Sequence, residues 1–288
     1  MVAPAFEYAA AGSYGEAVRL LADGGDEAKI LAGGQSLMPM LNLRFAHPGL
    51  LIDINAADDR EPSVTGGVLR LPALTRHRVL LEHDLVRRHC PLLTAAVWHV
   101  GNVRVRNRGT VGGSLAHADP AAEMPGIAVT CDAEIAVVGK SGARVIQAAD
   151  FFQGALTTAL TPDEIIVEVR LPAWPKGRRW GFEEFARRRG DFAMAAAAVF
   201  YDQSEDGSAR NAHVGVIGVA DRPLRLPSVE DVLNGRVIDQ AAIAEAEAAT
   251  CAAVDPQDDI HASAAYRRAL VGTMVERALK RAAARPQQ

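Results

Sequence analysis

The sequence contains few cysteines and no long apolar run. Its three cysteines, Cys90, Cys131 and Cys251, are 41 and 120 residues apart. These separations match no CxxC pair, zinc knuckle or iron–sulfur motif, and they do not indicate a secreted disulfide framework. No stretch free of Asp, Glu, Lys and Arg reaches the roughly 20 residues of a membrane helix, and the N-terminus has no basic segment followed by an apolar one. The sequence therefore predicts a cytoplasmic protein without a signal peptide or a transmembrane segment.

Neither sign of charge is in excess. Lys and Arg total 31, and Asp and Glu total 35, which gives a net charge of −4. This balance does not indicate a nucleic-acid partner or an acidic tail. Apolar residues make up 49% of the 288 residues, which is enough for a sizeable core, and the length fits two or three domains.

Strand and helix patterns divide the chain into three parts. Residues 1–55 alternate strand and helix signals, and residues 56–176 contain further strands and helices. The segment 172–177 (PAWPKG) is the best linker candidate, because it combines two prolines with a glycine. Residues 177–288 are predicted to form three antiparallel strands followed by Ala-rich helices.

Several local features are predicted within these parts. Ser13 and Glu16 form a capping box, in which Ser13 caps the first helix and Glu16 reaches back. Residues 55–67 are polar and are interpreted as a connection between subdomains. Residues 101–125 are rich in Gly, Arg, Asn, His and Asp, and this composition predicts a long loop.

Two glycine-rich segments are the strongest candidates for a ligand site. They are residues 31–37 (LAGGQSL) and residues 108–115 (RGTVGGSL). Paired glycines allow close approach of the backbone, successive N–H groups form an anion-binding concavity, and hydroxyl groups add donors. Both segments together suit a dinucleotide pyrophosphate, although a single Gly-Gly pair is more often only a turn. Neither matches a Walker loop or GxGxxG, so a Rossmann site is not indicated.

Polar side chains follow the second glycine segment. Asp119 and Glu123 are suited to accept hydrogen bonds from ribose or ribityl hydroxyls, and Asp119 equally suits a helix cap before Pro120. His117 is a candidate ligand contact or a structural donor. Three histidines spaced six apart within residues 77–89 do not share a helical face, so no metal site is predicted there.

Four motifs resemble those of the FAD-binding medium subunit of the molybdenum hydroxylases, the family of xanthine dehydrogenase and aerobic carbon monoxide dehydrogenase. They are AGGQSL at 32–37, RNRGTVGGS at 106–114, AHADPAAE at 116–123 and FARRRGDFA at 185–193. The resemblance extends in order over nearly the whole chain, and the second motif is highly specific. The chain is therefore identified as a member of this oxidoreductase family.

The resemblance implies an α+β fold of the vanillyl-alcohol-oxidase (PCMH) type. Two α/β subdomains, 1–55 and 56–176, would hold FAD, and a C-terminal domain, 177–288, with a three-stranded antiparallel sheet and helices would close over the flavin. It places residues 32–36 and 110–114 at the pyrophosphate, and Ile166 and Phe192 near the isoalloxazine ring. No catalytic residue or metal ligand is predicted. The predicted FAD-binding residues are Leu31, Ala32, Gly33, Gly34, Gln35, Ser36, Leu37, Thr110, Gly112, Gly113, Ser114, His117, Asp119, Glu123, Ile166 and Phe192.

The resemblance also implies partner subunits. A large subunit would hold the molybdenum cofactor and oxidise the substrate, and a small subunit would hold 2Fe–2S clusters, in a heterotrimer that is expected to dimerise. Electrons would pass through the clusters to FAD in this chain and then to an external acceptor. Two alternatives stay open: a stand-alone FAD-dependent reductase or oxidase, and a non-catalytic nucleotide-binding assembly subunit.

The sequence departs from the family pattern near the last motif. Many members carry Lys near the flavin edge where this chain has Glu183 and Glu184, and Tyr is common where Phe192 stands. Loss of a nearby cation is expected to alter the flavin potential or the choice of acceptor.

Overall fold

The computed structural model describes residues 4–285, and its N-terminal part contains a small parallel sheet. Three strands pair in the order β1-β3-β2, and helix α1 follows the first strand. The Ser13 hydroxyl accepts from the Glu16 N–H at 3.2 Å, as predicted for the cap. The Glu16 carboxylate, however, accepts from the Gly12 N–H at 2.8 Å, so the reciprocal half of the box is shifted by one residue. The elements are β1 (Glu7–Ala10), α1 (Tyr14–Gly24), β2 (Ala28–Leu31), α2 (Leu37–Asn42) and β3 (Leu50–Asp53).

A five-stranded antiparallel sheet forms the middle part. Its strand order is β4-β5-β10-β6-β7, and a separate hairpin pairs β8 with β9. The strands are β4 (Ser63–Thr65), β5 (Val68–Pro72), β6 (Glu134–Gly139), β7 (Gly142–Gln147), β8 (Phe152–Gly154), β9 (Thr157–Thr158) and β10 (Ile165–Leu171). The helices are α3 (His77–Glu82), α4 (Asp84–His89), α5 (Pro91–Val97), α6 (Val103–Arg108), α7 (Val111–His117), α8 (Glu123–Thr130) and α9 (Ala148–Phe151).

Two predictions for this middle part were wrong. The polar connection at 55–67 contains the edge strand β4, and the predicted loop at 101–125 contains α6, α7 and the start of α8. Side-chain caps explain the second difference. The Asn102 side chain accepts from two N–H groups at the start of α6, and the Thr110 hydroxyl accepts from the Gly113 N–H at the start of α7. These caps satisfy backbone N–H groups in the first turns of α6 and α7, and the Gly112-Gly113 pair made α7 resemble a loop.

The C-terminal part contains the predicted antiparallel strands, to which a two-residue strand adds a fourth at the edge. The sheet order is β11-β12-β13-β14, and α12 packs against β11 and β12. The elements are β11 (Arg179–Phe185), β12 (Ala195–Gln203), β13 (Ala209–Ile217), β14 (Leu224–Arg225), α10 (Pro227–Leu233), α11 (Gln240–Ala253) and α12 (Ala264–Ala284).

The C-terminal sheet packs on both of its faces. Alternate residues of β12 point to opposite sides, so Ala196 and Ala198 join the core of the middle part. Ala195 and Ala197 join a second core with α12. Gly181 of β11 lies so close to the Ala278 carbonyl of α12 that a side chain would overlap it. The sheet is therefore fixed between the middle part and the last helix.

Among the helices of the described residues, none combines the length and the apolar character needed to cross a membrane.

Candidate functional site

The two glycine-rich segments lie against each other. A Cβ atom at Gly33 would overlap the Arg108 carbonyl oxygen and would lie 2.9 Å from the Gly109 Cα. Gly34 has φ of 73°, in the left-handed region that favours glycine. Both glycines are thus required by the local backbone. The structure brings together residues 31–37 and 110–114, which are far apart in sequence.

The first segment forms a turn between a strand and a helix. Leu31 ends β2, Ala32 follows it, and Leu37 begins α2 after Ser36. The Gln35 side-chain amide donates to the Gly33 carbonyl at 3.1 Å. Among the described residues, no protein acceptor receives the backbone N–H groups of residues 33–36. These successive unengaged donors are what an anion-binding concavity requires, and their contact with a ligand stays a prediction.

The second segment uses its backbone donors differently. The N–H groups of residues 111–114 all donate within the protein; Gly112, for example, donates to the Ala73 carbonyl at 2.8 Å. The prediction of an N–H concavity was therefore wrong for this segment. Helix α7 begins within it, and the N–H groups of its first turn already donate hydrogen bonds within the protein. The backbone of this segment is instead closely packed, with Gly112 against Ala73. The side chain of Ser114 in the same segment is half-buried.

A pair of polar side chains joins the two segments. The Arg76 guanidinium donates to the Arg108 carbonyl at 2.6 Å and to the Asn55 side-chain oxygen at 2.5 Å. The Asn55 amide in turn donates to the Ala32 carbonyl at 2.9 Å. We call Arg76 and Asn55 the clip. Sequence reasoning missed both residues; the signal for Asn55 was a polar residue two positions after the end of the strand β3.

A buried histidine supports the second segment from behind. His77 donates its backbone N–H to the Gly109 carbonyl at 3.0 Å, and its Nε2 lies 3.2 Å from the Thr110 carbonyl oxygen. Its Nδ1 is buried and has no hydrogen-bond partner within the described part of the chain. Burial lowers the pKa of His77 to about 4, so the imidazole is neutral at pH 7 and donates through Nε2.

The residues after the second segment form a turn before the next helix. The Asp119 carboxylate accepts from the Ala121 N–H at 2.8 Å, and α8 begins only at Glu123 with Ala122 in the cap position. The alternative that Asp119 caps a helix beginning at Pro120 was therefore wrong. His117 ends α7 and is half-buried, and burial lowers the pKa of its imidazole.

Two glutamates from different parts of the chain have buried side chains. Glu123 begins α8 and is 5% exposed, and the side chain of Glu184 on β11 is 3% exposed. Glu184 Oε1 lies 3.5 Å from Nδ1 of His99, whereas Glu184 Oε2 is buried and has no hydrogen-bond partner among residues 4–285. Burial first, and then the negative charge of Glu184, raise the pKa of Glu123 to about 8. Sequence reasoning missed His99 and its contact with Glu184.

The neighbouring Glu183 has a different environment. Its carboxylate forms an ion pair with Arg281 of α12. Of the two glutamates that depart from the family pattern, only Glu184 is thus associated with the predicted site residue Glu123.

The two predicted apolar contacts differ in exposure. Ile166 lies on β10 and belongs to the buried core of the middle part. The Phe192 residue is 61% exposed and follows Gly190, which has φ of 85° and lies against Gly101. The contact of both residues with a flavin ring stays a prediction.

Comparison with known proteins places the chain among redox subunits. Residues 4–174 match the family model "FAD binding domain in molybdopterin dehydrogenase", and residues 180–282 match "CO dehydrogenase flavoprotein C-terminal domain". The 6-hydroxypseudooxynicotine dehydrogenase complex subunit alpha of Paenarthrobacter nicotinovorans is 40% identical over 98% of this chain and 96% of its own length. The carbon monoxide dehydrogenase medium chain of Hydrogenophaga pseudoflava is 37% identical over 99% of both chains.

Solved structures give the same result. A chain of carbon monoxide dehydrogenase from Hydrogenophaga pseudoflava superposes with a TM-score of 0.95, at 38% identity and with 98% of each chain covered. This likeness confirms the predicted α+β FAD-binding fold with its C-terminal antiparallel sheet. Because the matches cover nearly the full length, the chain belongs to the family of FAD-binding medium subunits of molybdenum hydroxylases, and it is an oxidoreductase subunit.

Proposed function

We propose that this chain binds FAD across the two glycine-rich segments and transfers electrons within a larger complex. It would receive electrons from 2Fe–2S clusters of a small partner subunit and pass them to an external acceptor, while a large subunit with the molybdenum cofactor oxidises the substrate. The observation that carries the proposal is the first segment, residues 33–36, whose backbone donors have no protein acceptor and which faces the second segment.

The residues present fit the pyrophosphate of FAD. A diphosphate needs several hydrogen-bond donors at close range, and the first segment supplies them from its backbone. Gly33 and Gly34 keep side chains out of this region, and the clip holds the two segments at a fixed separation. Ser114 adds a hydroxyl from the second segment. The chain's own residues therefore bind and orient the cofactor, and bound FAD supplies the electron-transfer chemistry.

The flavin ring is proposed to lie towards the C-terminal part. Glu123 and Glu184 contribute buried carboxyl groups, and the Oε2 atom of Glu184 lacks a partner. A buried polar atom without a partner is costly, so an unfilled acceptor or donor marks a place for a ligand group. Ile166 and Phe192 are the proposed apolar contacts of the ring.

The division into domains is part of the proposal. Residues 1–55, 56–176 and 177–288 each contain one principal sheet of the described structure, which supports these boundaries. For the complex we propose a dimer of heterotrimers, because the relatives are named as subunits or medium chains. A cytoplasmic location is proposed because the three free thiols fit a reducing compartment.

The experiment is to purify the chain alone and together with its genomic neighbours. The isolated chain is expected to carry about one FAD per chain and to oxidise no purine, aldehyde, aromatic heterocycle or CO. With the partners, the same flavin should be reduced when substrate is added, and molybdenum and iron should co-purify. A colourless chain that takes up no FAD would overturn the proposal and favour a non-catalytic assembly subunit. Turnover by the isolated chain would instead indicate a stand-alone enzyme.

A further inference from the structure

We infer that an arginine-rich surface beside the proposed flavin site docks the external electron acceptor, and that this acceptor is a small redox protein with an acidic face. The surface consists of residues 98–106 and 187–192, which together we call the arginine face. The inference rests on the proposed function, because it names the kind of acceptor to which the bound flavin would pass its electrons.

Contacts between its two segments hold the arginine face together. A Cβ atom at Gly190 would lie 2.6 Å from the Gly101 carbonyl oxygen, so the two backbones touch. The Cζ atoms of Arg189 and Arg106 lie 5.0 and 5.7 Å from the centre of the Trp98 ring. Arg106 also donates to the Gly101 carbonyl at 3.0 Å. The two segments therefore form one surface, in which two guanidinium groups hold the indole ring in place.

Arginines give this face an excess of positive charge. It carries five of them, at Arg104, Arg106, Arg187, Arg188 and Arg189. Over the described span of the chain, the side chains of Arg104, Arg187 and Arg188 are exposed and make no hydrogen bond or ion pair. The one acidic residue within the two segments, Asp191, is exposed and likewise unpaired there. Because the whole chain has a net charge of −4, this concentration of cations distinguishes the face from the rest of the molecule.

Apolar side chains are exposed among these arginines. Trp98 is 52% exposed and Val103 is 60% exposed. Arginine beside exposed aromatic residues is typical of protein–protein contacts, and a guanidinium group binds carboxylates in a bidentate geometry. A small anion would leave the indole ring and Val103 without a partner. Helix α6 has only six residues, too few for the amphipathic helix that binds a lipid surface. The face therefore fits a protein that presents carboxylates around a small apolar centre.

The arginine face adjoins the proposed cofactor site at two places. Helix α6 continues from the face to Arg108, whose carbonyl oxygen lies against Gly33 of the first glycine-rich segment. The other segment ends at Phe192, the proposed contact of the flavin ring. A protein docked on this face would therefore stand close to the flavin. Transient redox encounters bury little surface and depend on charge steering, which suits a face of exposed cations that lack ion pairs.

The electron transfer balances with a one-electron acceptor. The reduced cofactor holds two electrons, and each docked acceptor takes one of them. Two acceptor molecules are therefore reduced for each flavin that is oxidised. The protons that leave the flavin pass to the solvent, and no bond forms between the two proteins.

The test compares two forms of one haem acceptor. Native cytochrome c has a basic surface, whereas succinylated cytochrome c carries carboxylates in place of its lysine ammonium groups. The full FAD-containing chain is reduced with dithionite, freed of excess reductant and mixed with each form in a stopped-flow instrument. At low ionic strength, the succinylated form should be reduced at least about tenfold faster than the native form. The difference should vanish near 1 M salt, where the Debye length is about 3 Å.

Variants locate the docking surface. Arg187→Glu combined with Arg188→Glu should slow reduction of the succinylated form at least about tenfold at low ionic strength. Trp98→Ala should slow it by about 10- to 30-fold without changing the salt dependence. The matched control is Arg19→Glu combined with Arg277→Glu, which makes the same charge change at exposed arginines of α1 and α12. Its rates should stay within about twofold of the wild type, because salt screens distant charges. FAD content and Tm are measured on every sample.

Four outcomes decide the matter. Equal rates for both cytochromes in the FAD-containing wild type, or an unchanged rate in the variant with both glutamates at 187 and 188, would overturn the inference. Loss of the iron–sulfur subunit from the co-purified complex of that variant would assign the face to a permanent interface and overturn it as well. So would equal cytochrome rates together with binding of the wild type, but not of that variant, to vesicles of phosphatidylserine and phosphatidylcholine, which would assign the face to lipid. A chain that contains no FAD but binds succinylated cytochrome c through these arginines would instead support the docking surface and refute the proposed function.

Discussion

The contact between Gly33 and the second segment gives a quantitative prediction for Gly33→Ala. A Cβ atom at this position would lie 2.9 Å from both the Arg108 carbonyl carbon and the Gly109 Cα, and it would overlap the Arg108 oxygen. Optimal carbon–carbon contacts begin at about 3.5 Å, so the segments must separate by roughly 0.5–1 Å. Backbone atoms on both sides leave no flexible side chain to move away.

Overpacking of this kind costs about 1–3 kcal/mol. The FAD-free protein relieves the overlap by letting the segments separate, and FAD must bring them together again. The same energy then appears as an increase of about 5- to 150-fold in the Kd for FAD. If the segments instead stay together in the FAD-free protein, the overpacking energy destabilises the fold. Each kcal/mol then lowers Tm by roughly 2–4 °C.

Both outcomes are measurable on one preparation. FAD is removed, the apo-protein is titrated with FAD by flavin fluorescence, and Tm is recorded by circular dichroism with and without FAD. Gly15→Ala is the matched control, because a Cβ at Gly15 meets no atom within 4 Å. This control should bind FAD as the wild type does and be equally stable or slightly more so. A Gly33→Ala protein with unchanged Kd and unchanged Tm would refute the close contact of the two segments.

Three further predictions concern the surroundings of these segments. Gly113→Val should yield FAD-free protein, because a Cβ there lies 2.7 Å from the Thr110 hydroxyl that caps α7; stoichiometric FAD in the purified variant would contradict this role. Alanine variants of Asn55 and Arg76, combined in a double-mutant cycle of urea unfolding, should give a coupling energy of about 0.5–3 kcal/mol, and additive effects would show that the clip is not a unit. For His77, the pKa is about 4 in the folded protein and near 6.5 when unfolded, so the unfolded chain binds more protons between these values. The stability of the wild type relative to His77→Gln should therefore fall by about 3 kcal/mol from pH 7 to pH 4, and a pH-independent difference would exclude a neutral buried imidazole.

Features that depend on the local sequence pattern were predicted from the sequence. The Ser13 cap of the first helix was predicted correctly, since Ser13 directly precedes α1 and lies three residues before Glu16. The fold does bring the two glycine-rich segments together, with Gly33 against Arg108 and Gly109. Their contacts with FAD, and that of Glu123, stay predictions.

What the sequence did not predict depends on tertiary contacts. The backbone donors of the second segment are engaged because Ala73 and Thr75, from a distant strand end, lie within reach of α7. The contact of Glu184 with His99 arises only when the C-terminal sheet packs on the middle part. The helices in residues 101–125 were missed because two side-chain caps, Asn102 and Thr110, outweigh a composition typical of loops.

The packing of the last helix has a consequence for the order of events during synthesis. Glu184 lies on β11, and β11 rests on α12 through the close approach of Gly181 to Ala278. A chain leaves the ribosome N-terminus first, and parts fold as they emerge. Both glycine-rich segments are therefore released long before α12 can support β11. Under the proposed function, capture of the FAD phosphates would begin on the nascent chain, whereas enclosure of the flavin ring would wait until translation has passed Ala278.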